Sequence, residues 1–183
     1  ELQNFIREQY FKHDYKEVMT PNIFNKKLWE TSGHWEHYKD DMFVLKTEDG
    51  EFSLKPMNCP SHCLIFKNKF RSYKELPIRI ADFGALHRNE LSGSLSGLTR
   101  VRKFCQDDAH IFCTTEHIED EIAKLLELID YVYKDVFGMT YDIELSTRPN
   151  DFLGTKEIWD EAERSLEKSL KKNKKPYEIC EGD

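Results

Sequence analysis

The sequence predicts an α+β fold, an antiparallel β-sheet flanked by helices, and three features predict it. Apolar residues recur at helical spacing at the start of the chain and again across 115–137 and 155–174. A hairpin pattern surrounds Asp49 and Gly50, and two alternating segments, 76–90 and 100–113, flank a Gly/Ser-rich loop. Repeated β-α-β units with glycine-rich crossovers do not occur, and neither a Walker A loop nor a Rossmann fingerprint is present. A nucleotide bound by this chain is therefore held by some other device.

Leu2, Phe5, Ile6, Gln9 and Tyr10 keep helical spacing, which predicts a helix over 1–13. YKEVMTPNIF (15–24) reads as an extended segment interrupted by Pro21, a residue that cannot donate to a sheet ladder. Lys26–Ser32 reads as a short helix closed near Gly33, and DMFVLKTEDGEFSLKP as a hairpin turning at Asp49-Gly50. Residues 60–70 suit a helix with Pro60 at its start. LPIRIADFGALHRNE (76–90) alternates as one strand, and VRKFCQDDAHIFC returns after the loop as a second. Ile118, Ile122, Leu125, Leu126, Ile129, Val132, Tyr133 and Val136 line an amphipathic helix that ends at Gly138. MTYDIELST (139–147) is a further strand, and 155–174 a last helix with Ile158, Trp159, Ala162, Leu166 and Leu170 inward. Its terminal lysines, Lys171, Lys172, Lys174 and Lys175, suit the negative end of the helix dipole and read as a solvated helix end.

Composition narrows the function classes. A chain of 183 residues can build one sizeable core, and its aromatic and branched aliphatic content is that of a folded domain. The formal net charge of -7 leaves no global basic footprint for nucleic acid. No apolar run approaches the roughly 20 residues that span a membrane, and the N-terminus lacks a signal-peptide layout, so no membrane partner is expected. The five cysteines (Cys59, Cys63, Cys105, Cys113 and Cys180) are odd in number and contain no Cys-x-x-Cys pair. Free thiols with one metal ligand among them are expected, not a disulfide framework. The chain opens inside a helical pattern and stops after a strand-like stretch, which reads as a fragment of a longer protein.

Three constellations can carry chemistry. In HRNE (87–90), Arg88 ends a strand and can grip phosphate or carboxylate through two parallel bonds, while Glu90 lies on the same side by alternation. As a surface pair the two would be worth little. In the returning strand, Arg100, Arg102, Phe104, Gln106, Asp108 and His110 share one face by alternation. A face packed on a core would be apolar, and a solvated face would rarely include Phe104. A floor for a polar aromatic ligand fits better: phosphates at the arginines, a base on Phe104, and a small polar substrate near Asp108 and His110. In PMNCPSHC (56–63), Cys59 sits between two prolines and can present a thiolate to zinc, with His62 and Cys63 as alternative ligands and a buried free cysteine as the plain reading.

MNCPSHC, HRNELSGSLSGLTRVRKFCQDDAHIFC and LSTRP resemble the catalytic core of the threonyl-tRNA synthetases, a family of class II aminoacyl-tRNA synthetases. YKEVMTPNIF (15–24) resembles that class's first signature motif, and the stretch around 78–113 its second. The resemblance makes residues 1–183 a partial class II catalytic domain, cut before motif 3, with the editing and anticodon-binding domains absent. It implies a threonine-tRNA ligase that activates threonine with ATP and Mg²⁺ to threonyl-adenylate and transfers it to tRNA(Thr). It also implies zinc-assisted threonine recognition, a homodimer formed around Pro21, and a cytoplasmic enzyme.

The resemblance further implies residue roles. Cys59 and His110 are two of three zinc ligands, the third histidine lying beyond the chain. Arg88 holds the α-phosphate and the substrate carboxylate, Glu90 meets the adenine amine, Phe104 stacks on adenine and Arg100 lies near the phosphates. Gln106 and Asp108 belong to the threonine site, with Asp108 reading the hydroxyl, and Met57 lines the pocket. His34, in TSGHWEH, passes the threonyl group to the tRNA ribose. Ser61 stands where the family commonly has glycine, and His37 and His62 read as ordinary polar residues. Two rivals are a non-catalytic, synthetase-like module that binds RNA or a partner, whose mark would be loss of the ATP residues, and a structural zinc module, which would need closed, paired ligands.

Overall fold

The computed structural model describes residues 1–182, which fall into two compact units divided between Phe112 and Cys113. In the first unit, helix α1 (Leu2–Lys12) leads through Asp14, in the left-handed region at φ 61°, into strand β1 (Tyr15–Glu17). Aspartate tolerates that conformation better than most residues. β1 pairs in parallel with β5 (Ile78–Asp82), and β5 pairs antiparallel with β8 (Asp108–Phe112). Tyr10, Tyr15 and Ala81 form the buried centre beneath α1, with Ile6, Phe83, Ala109 and Ile111 packed around them. Tyr10 keeps its hydroxyl satisfied on the carbonyl of Asp107 at 3.0 Å. The odd-numbered positions 81, 109 and 111 thus give this sheet one apolar face.

The even-numbered positions give the other face, which helix α4 (Cys59–Lys67) covers. Three contacts march along it in step. The side chain of Asn58, just ahead of the helix, donates to Asp108 at 3.0 Å. His62 meets His110 at 2.7 Å, and Phe66 stacks on Phe112 with ring centroids 4.3 Å apart. Four helical residues rise about 6 Å and two strand residues about 6.8 Å, so positions 58, 62 and 66 stay abreast of 108, 110 and 112.

A second sheet has the order β2-β4-β3, from β2 (Ile23–Asn25), β3 (Val44–Thr47) and β4 (Gly50–Leu54), all antiparallel. Its hairpin turns at Glu48 and Asp49, one residue earlier than the sequence predicts, and Gly50 begins β4 with φ 128°. The side chain of Asn25 caps α2 (Lys26–Thr31) by accepting from the Lys27 amide, and Gly33 at φ 80° closes it before α3 (His34–Tyr38). Trp29 is fully buried, with Phe24 and His34 edge-on to its ring.

Each of the two long strands expected over 76–90 and 100–113 is interrupted. β5 stops at Asp82 and β6 (Ala85–His87) begins after Phe83-Gly84, while β7 (Lys103–Cys105) and β8 are separated by Gln106-Asp107. The register is nevertheless constant. Asp82 lies opposite Asp108, Ala85 opposite Cys105, and the Arg88 amide donates to the Arg102 carbonyl at 2.9 Å. No residue is inserted in either arm, so the even-numbered positions remain one set. The ladder opens where other groups crowd in. A Cβ on Gly84 would lie 2.5 Å from Lys55 Nζ and 2.8 Å from Asn58 Oδ1.

In the second unit, α5 (Ile118–Ile129) continues through a π-helical segment (Asp130–Val136) to Gly138 at φ 64°. Strand β9 (Glu144–Ser146), helix α6 (Lys156–Lys172) and strand β10 (Glu178–Cys180) follow, with β9 and β10 parallel. This unit therefore holds a single β-α-β crossover that the sequence pattern did not suggest. Leu126, Leu145 and Leu170 centre its core. Thr155 caps α6, and Ile158, expected inward, is 65% exposed in the first helical turn. No helix among the described residues is long and apolar enough to cross a membrane.

Candidate active site

The hairpin from β5–β6 to β7–β8 carries the expected residues in two groups. At its open end, the Arg88 guanidinium sits over the Phe104 ring, 5.1 Å from the centroid, and its Nε reaches the Pro56 carbonyl at 3.4 Å. Leu86, opposite Phe104 in the ladder, is fully buried and anchors this part of the ribbon. Arg100 donates through Nε to Glu90 Oε2 at 2.9 Å, with Nη2 at 2.8 Å. Arg102 donates to the Glu90 carbonyl at 3.0 Å and to Ser92 Oγ at 3.2 Å. The open end thus carries an arginine–aromatic pair, Arg88 and Phe104, and a carboxylate, Glu90, held by Arg100.

At the closed end, Asp108 and His110 face the start of α4. Asp108 is paired by Asn58, which spends its side chain on the strand and leaves its own helix without a side-chain cap. Cys59 is half-buried in the first turn, and burial, with the field of Asp108 added, pushes its thiol pKa up. Burial lowers the His110 pKa, while Asp108 opposes the shift and His62 adds to it. One carboxylate therefore acts on both expected metal ligands. Gln106 is exposed in the gap between β7 and β8, and Asp107 is exposed while its carbonyl serves Tyr10. Here lies the reason for the acidic start of this strand: Asp107 stays in water and Asp108 is held by an amide.

Met57 and His34 come together as well. His34 Nε2 lies 3.1 Å from Met57 Sδ, its Nδ1 lies 2.8 Å from Ser32 Oγ, and burial lowers its pKa. Neutral imidazole is the form that can take a proton. Pro21 is exposed, and the preceding Met19 is 96% exposed.

Behind both groups lies a buried polar cluster that the sequence reading missed. Lys55 and His62 are fully buried and Asp82 nearly so. Asp82 Oδ2 accepts from the Thr20 hydroxyl at 2.6 Å and from its amide at 3.2 Å, and lies 3.6 Å from Lys55 Nζ. Lys55 in turn donates to Thr20 Oγ1 at 2.7 Å. Burial by itself would raise the Asp82 carboxyl, but His62, Thr20 and Lys55 outweigh it and hold its pKa below the ordinary value. The available signal was spacing: Asn58, His62 and Phe66 recur every four residues, and Asp108, His110 and Phe112 every two.

Cys59 and His110 are donors of the types zinc prefers. The two fit zinc in kind, and among the described residues no three His, Cys, Asp or Glu side chains form a metal-holding group.

Comparison with known proteins adds an independent line. The family described as tRNA synthetase class II core domain (G, H, P, S and T) matches residues 42–178. Mitochondrial threonine–tRNA ligase 1 of Arabidopsis thaliana is 59% identical over 182 residues, covering 100% of this chain and 26% of the relative. Human cytoplasmic threonine–tRNA ligase 2 is 57% identical over 182 residues, covering 100% of this chain and 23% of the relative. The chain thus spans about a quarter of the length of the curated relatives it matches. Among solved structures, one described as the RNA binding domain of threonyl-tRNA synthetase from Cryptosporidium parvum Iowa II superposes with a TM-score of 0.93 at 52% identity, covering 100% of this chain and 45% of that one.

Proposed function

Given that the chain belongs to the tRNA synthetase class II core family, we propose that it carries the ATP and threonine sites of a threonine–tRNA ligase. The observation that carries this reading is Asp108, a half-buried carboxylate steadied by Asn58 and flanked by His110 and Cys59. A site built to bond a substrate hydroxyl rejects an analogue that lacks it, because the buried polar groups are then left unpaired. Valine would leave Asp108 without its partner. Cys59 and His110 would hold zinc, which when bound supplies an open coordination position for the amine and hydroxyl of threonine. Met57 and Gln106 border that space.

Activation joins the threonine carboxylate to ATP. A carboxylate oxygen attacks the α-phosphorus, a new P–O bond forms, and the bond to the bridging oxygen breaks as pyrophosphate leaves; Mg²⁺, when bound, would offset the charge of the phosphates. Arg88 would hold the carboxylate and the α-phosphate together, reducing their mutual repulsion and fixing the approach. Phe104 would offer a stacking face to adenine and Glu90 an acceptor for its amine. Arg100, now paired with Glu90, would turn to the phosphates, since an exposed ion pair is cheaply exchanged. In transfer, a ribose hydroxyl of tRNA(Thr) would attack the acyl carbon and AMP would leave, and His34 is the residue that would take the hydroxyl proton. Exposed Met19 and Pro21 belong to the segment assigned to a homodimer contact, and the cytoplasm is the compartment assigned to the enzyme.

The test is threonine-dependent exchange of pyrophosphate into ATP by the protein at its full natural length. Arg88→Ala is expected to lower kcat by about 10²–10³-fold, the cost of removing one transition-state donor, with the fold retained by circular dichroism. Equal exchange with valine, or exchange unaffected by Arg88→Ala, would refute the assignment. Failure of the unsubstituted protein to exchange, with RNA binding kept, would favour the non-catalytic module.

A further inference from the structure

The even-numbered face of β8 meets a chain of buried groups that the proposed reaction does not use. His62 is fully buried, one ring nitrogen against His110 and the other against Asp82. His62 Nδ1 and His110 Nδ1 are 2.7 Å apart, so one must donate and the other accept. His62 Nε2 has no acceptor within hydrogen-bond distance, and the group it faces is Asp82 Oδ2 at 3.7 Å. We propose that Asp82 and His62 are positioning residues for His110: the carboxylate holds the His62 proton on Nε2, His62 Nδ1 accepts from His110 Nδ1–H, and His110 Nε2 is left with a free electron pair. This inference rests on the reading of His110 as a ligand in the threonine site.

The sign of the local field decides the tautomer. With its proton on Nε2, His62 points a positive N–H at a carboxylate. With its proton on Nδ1, it would point a lone pair at the same carboxylate in a fully buried site, where unpaired polar groups are most costly. Lys55, 3.6 Å from Asp82, shares that carboxylate. Asp82 cannot swing away, since the amide and hydroxyl of Thr20 both bind its Oδ2. Consequently His110 has one ring orientation and one free nitrogen before any ligand arrives. Histidines that bind metals ordinarily fix their tautomer by giving the other N–H to a carboxylate or carbonyl. Here a second histidine would stand between, relaying the carboxylate's choice.

The experiment uses the protein at its full natural length and two readouts. Nitrogen-15 NMR of the histidine rings, with His62→Gln to assign the signals, should show protonated Nδ1 and bare Nε2 on His110, and protonated Nε2 on His62. The reverse tautomers would overturn the proposal, and this readout needs no destabilised variant. Zinc affinity is then measured by chelator competition with zinc alone. His62→Leu, which neither donates nor accepts, should weaken zinc about 10–100-fold. His62→Gln, whose carbonyl can accept from His110 and whose amide can face Asp82, should remain near the parent. His62→Met serves in place of Leu if the Leu protein does not accumulate. Equal weakening by Gln and Leu, tracking only their melting temperatures, would leave the histidine a packing role and defeat the idea. Cys59→Ala and His110→Ala separate the two levels: if neither weakens zinc, the metal reading itself fails; if both do while His62→Leu does not, only the relay fails.

Discussion

Gly84→Ala is the most economical way to probe how the buried cluster shapes the hairpin. Gly84 does not adopt a left-handed φ, so an alanine is strained there only by what its Cβ meets. The Cβ would lie 2.5 Å from Lys55 Nζ, 2.8 Å from Asn58 Oδ1 and 3.1 Å from Asp82 Oδ1. A lysine end group at the surface would simply move. Lys55 is fully buried and tied to Thr20 at 2.7 Å, so moving it means leaving a buried carboxylate. Overpacking of this kind costs about 1–3 kcal/mol, and parting a buried ion pair up to about 3–5 kcal/mol. The alanine regains about 0.4–1 kcal/mol through the unfolded chain. The expected net loss is about 2–4 kcal/mol, or roughly 5–15 °C in Tm for a domain of this size.

Calorimetry or a urea titration reads that loss, and a double-mutant cycle with Lys55→Met assigns it. Methionine ends one atom short of Nζ, so the alanine should cost less in that background, though the approach to Asn58 keeps the cost above zero. A Gly84→Ala protein that melts with the parent, or a cycle with no coupling energy, would refute the steric account of the break between β5 and β6.

Two further outcomes follow from groups at the open end and from the buried histidines. Glu90→Gln should leave Tm almost unchanged, because an ion pair with an exposed arginine is worth at most about 1 kcal/mol. It should raise the KM for ATP in pyrophosphate exchange, and an unchanged KM would remove Glu90 from the adenine site. His34, His87 and His110 all have pKa values lowered chiefly by burial. The unfolded chain then binds more protons, so stability is full above an ordinary histidine pKa of about 6.5 and falls as the pH drops below it. Asp82, whose pKa is also lowered, contributes in the opposite form and is lost only near and below about pH 3.9. Urea midpoints compared at pH 7 and 5.5 isolate the histidines, and a midpoint that rises on acidification would contradict the assigned directions.

Most of the hairpin was legible in the sequence, because strand alternation is a property of the chain itself. Phe104, Asp108 and His110 are readable as one face from their spacing, as are Arg88 and Glu90 on the other arm, and the ladder keeps Phe104, Asp108 and His110 in one even-numbered set. What alternation could not show is the gap at Phe83-Gly84 and Gln106-Asp107. It arises from Lys55 and Asn58, residues distant in sequence that approach the backbone only after folding. Lys55 gave no signal, since a lysine beside Pro56 at the end of an amphipathic hairpin is ordinarily a surface residue. His62 is hard to read for a related reason: a polar residue among apolar neighbours on a helix has many harmless explanations. Its meaning lies in the match between a four-residue helical period and a two-residue strand period, which requires knowing that α4 lies along β8. Ile158 was misplaced because helical spacing does not say where a helix's first turn clears the core.

The segment 55–58 explains why the two groups of site residues hold a common spacing across an open ladder. Lys55 donates its amide to Asn22 and accepts from the His87 amide, at 2.9 and 3.0 Å, joining the extended segment after Pro21 to β6. Pro56 offers its carbonyl to Arg88, Met57 abuts His34, and Asn58 holds Asp108. Three consecutive residues, Pro56, Met57 and Asn58, thus touch Arg88, His34 and Asp108. Such a run has little conformational freedom: Pro56 fixes one φ, Lys55 is held at both its backbone and its ammonium, and Asn58 is fully buried. Geometry at one end of the site is therefore transmitted to the other through covalent bonds and not through loosely packed side chains. The strands themselves need not be continuous for the two groups to keep their spacing.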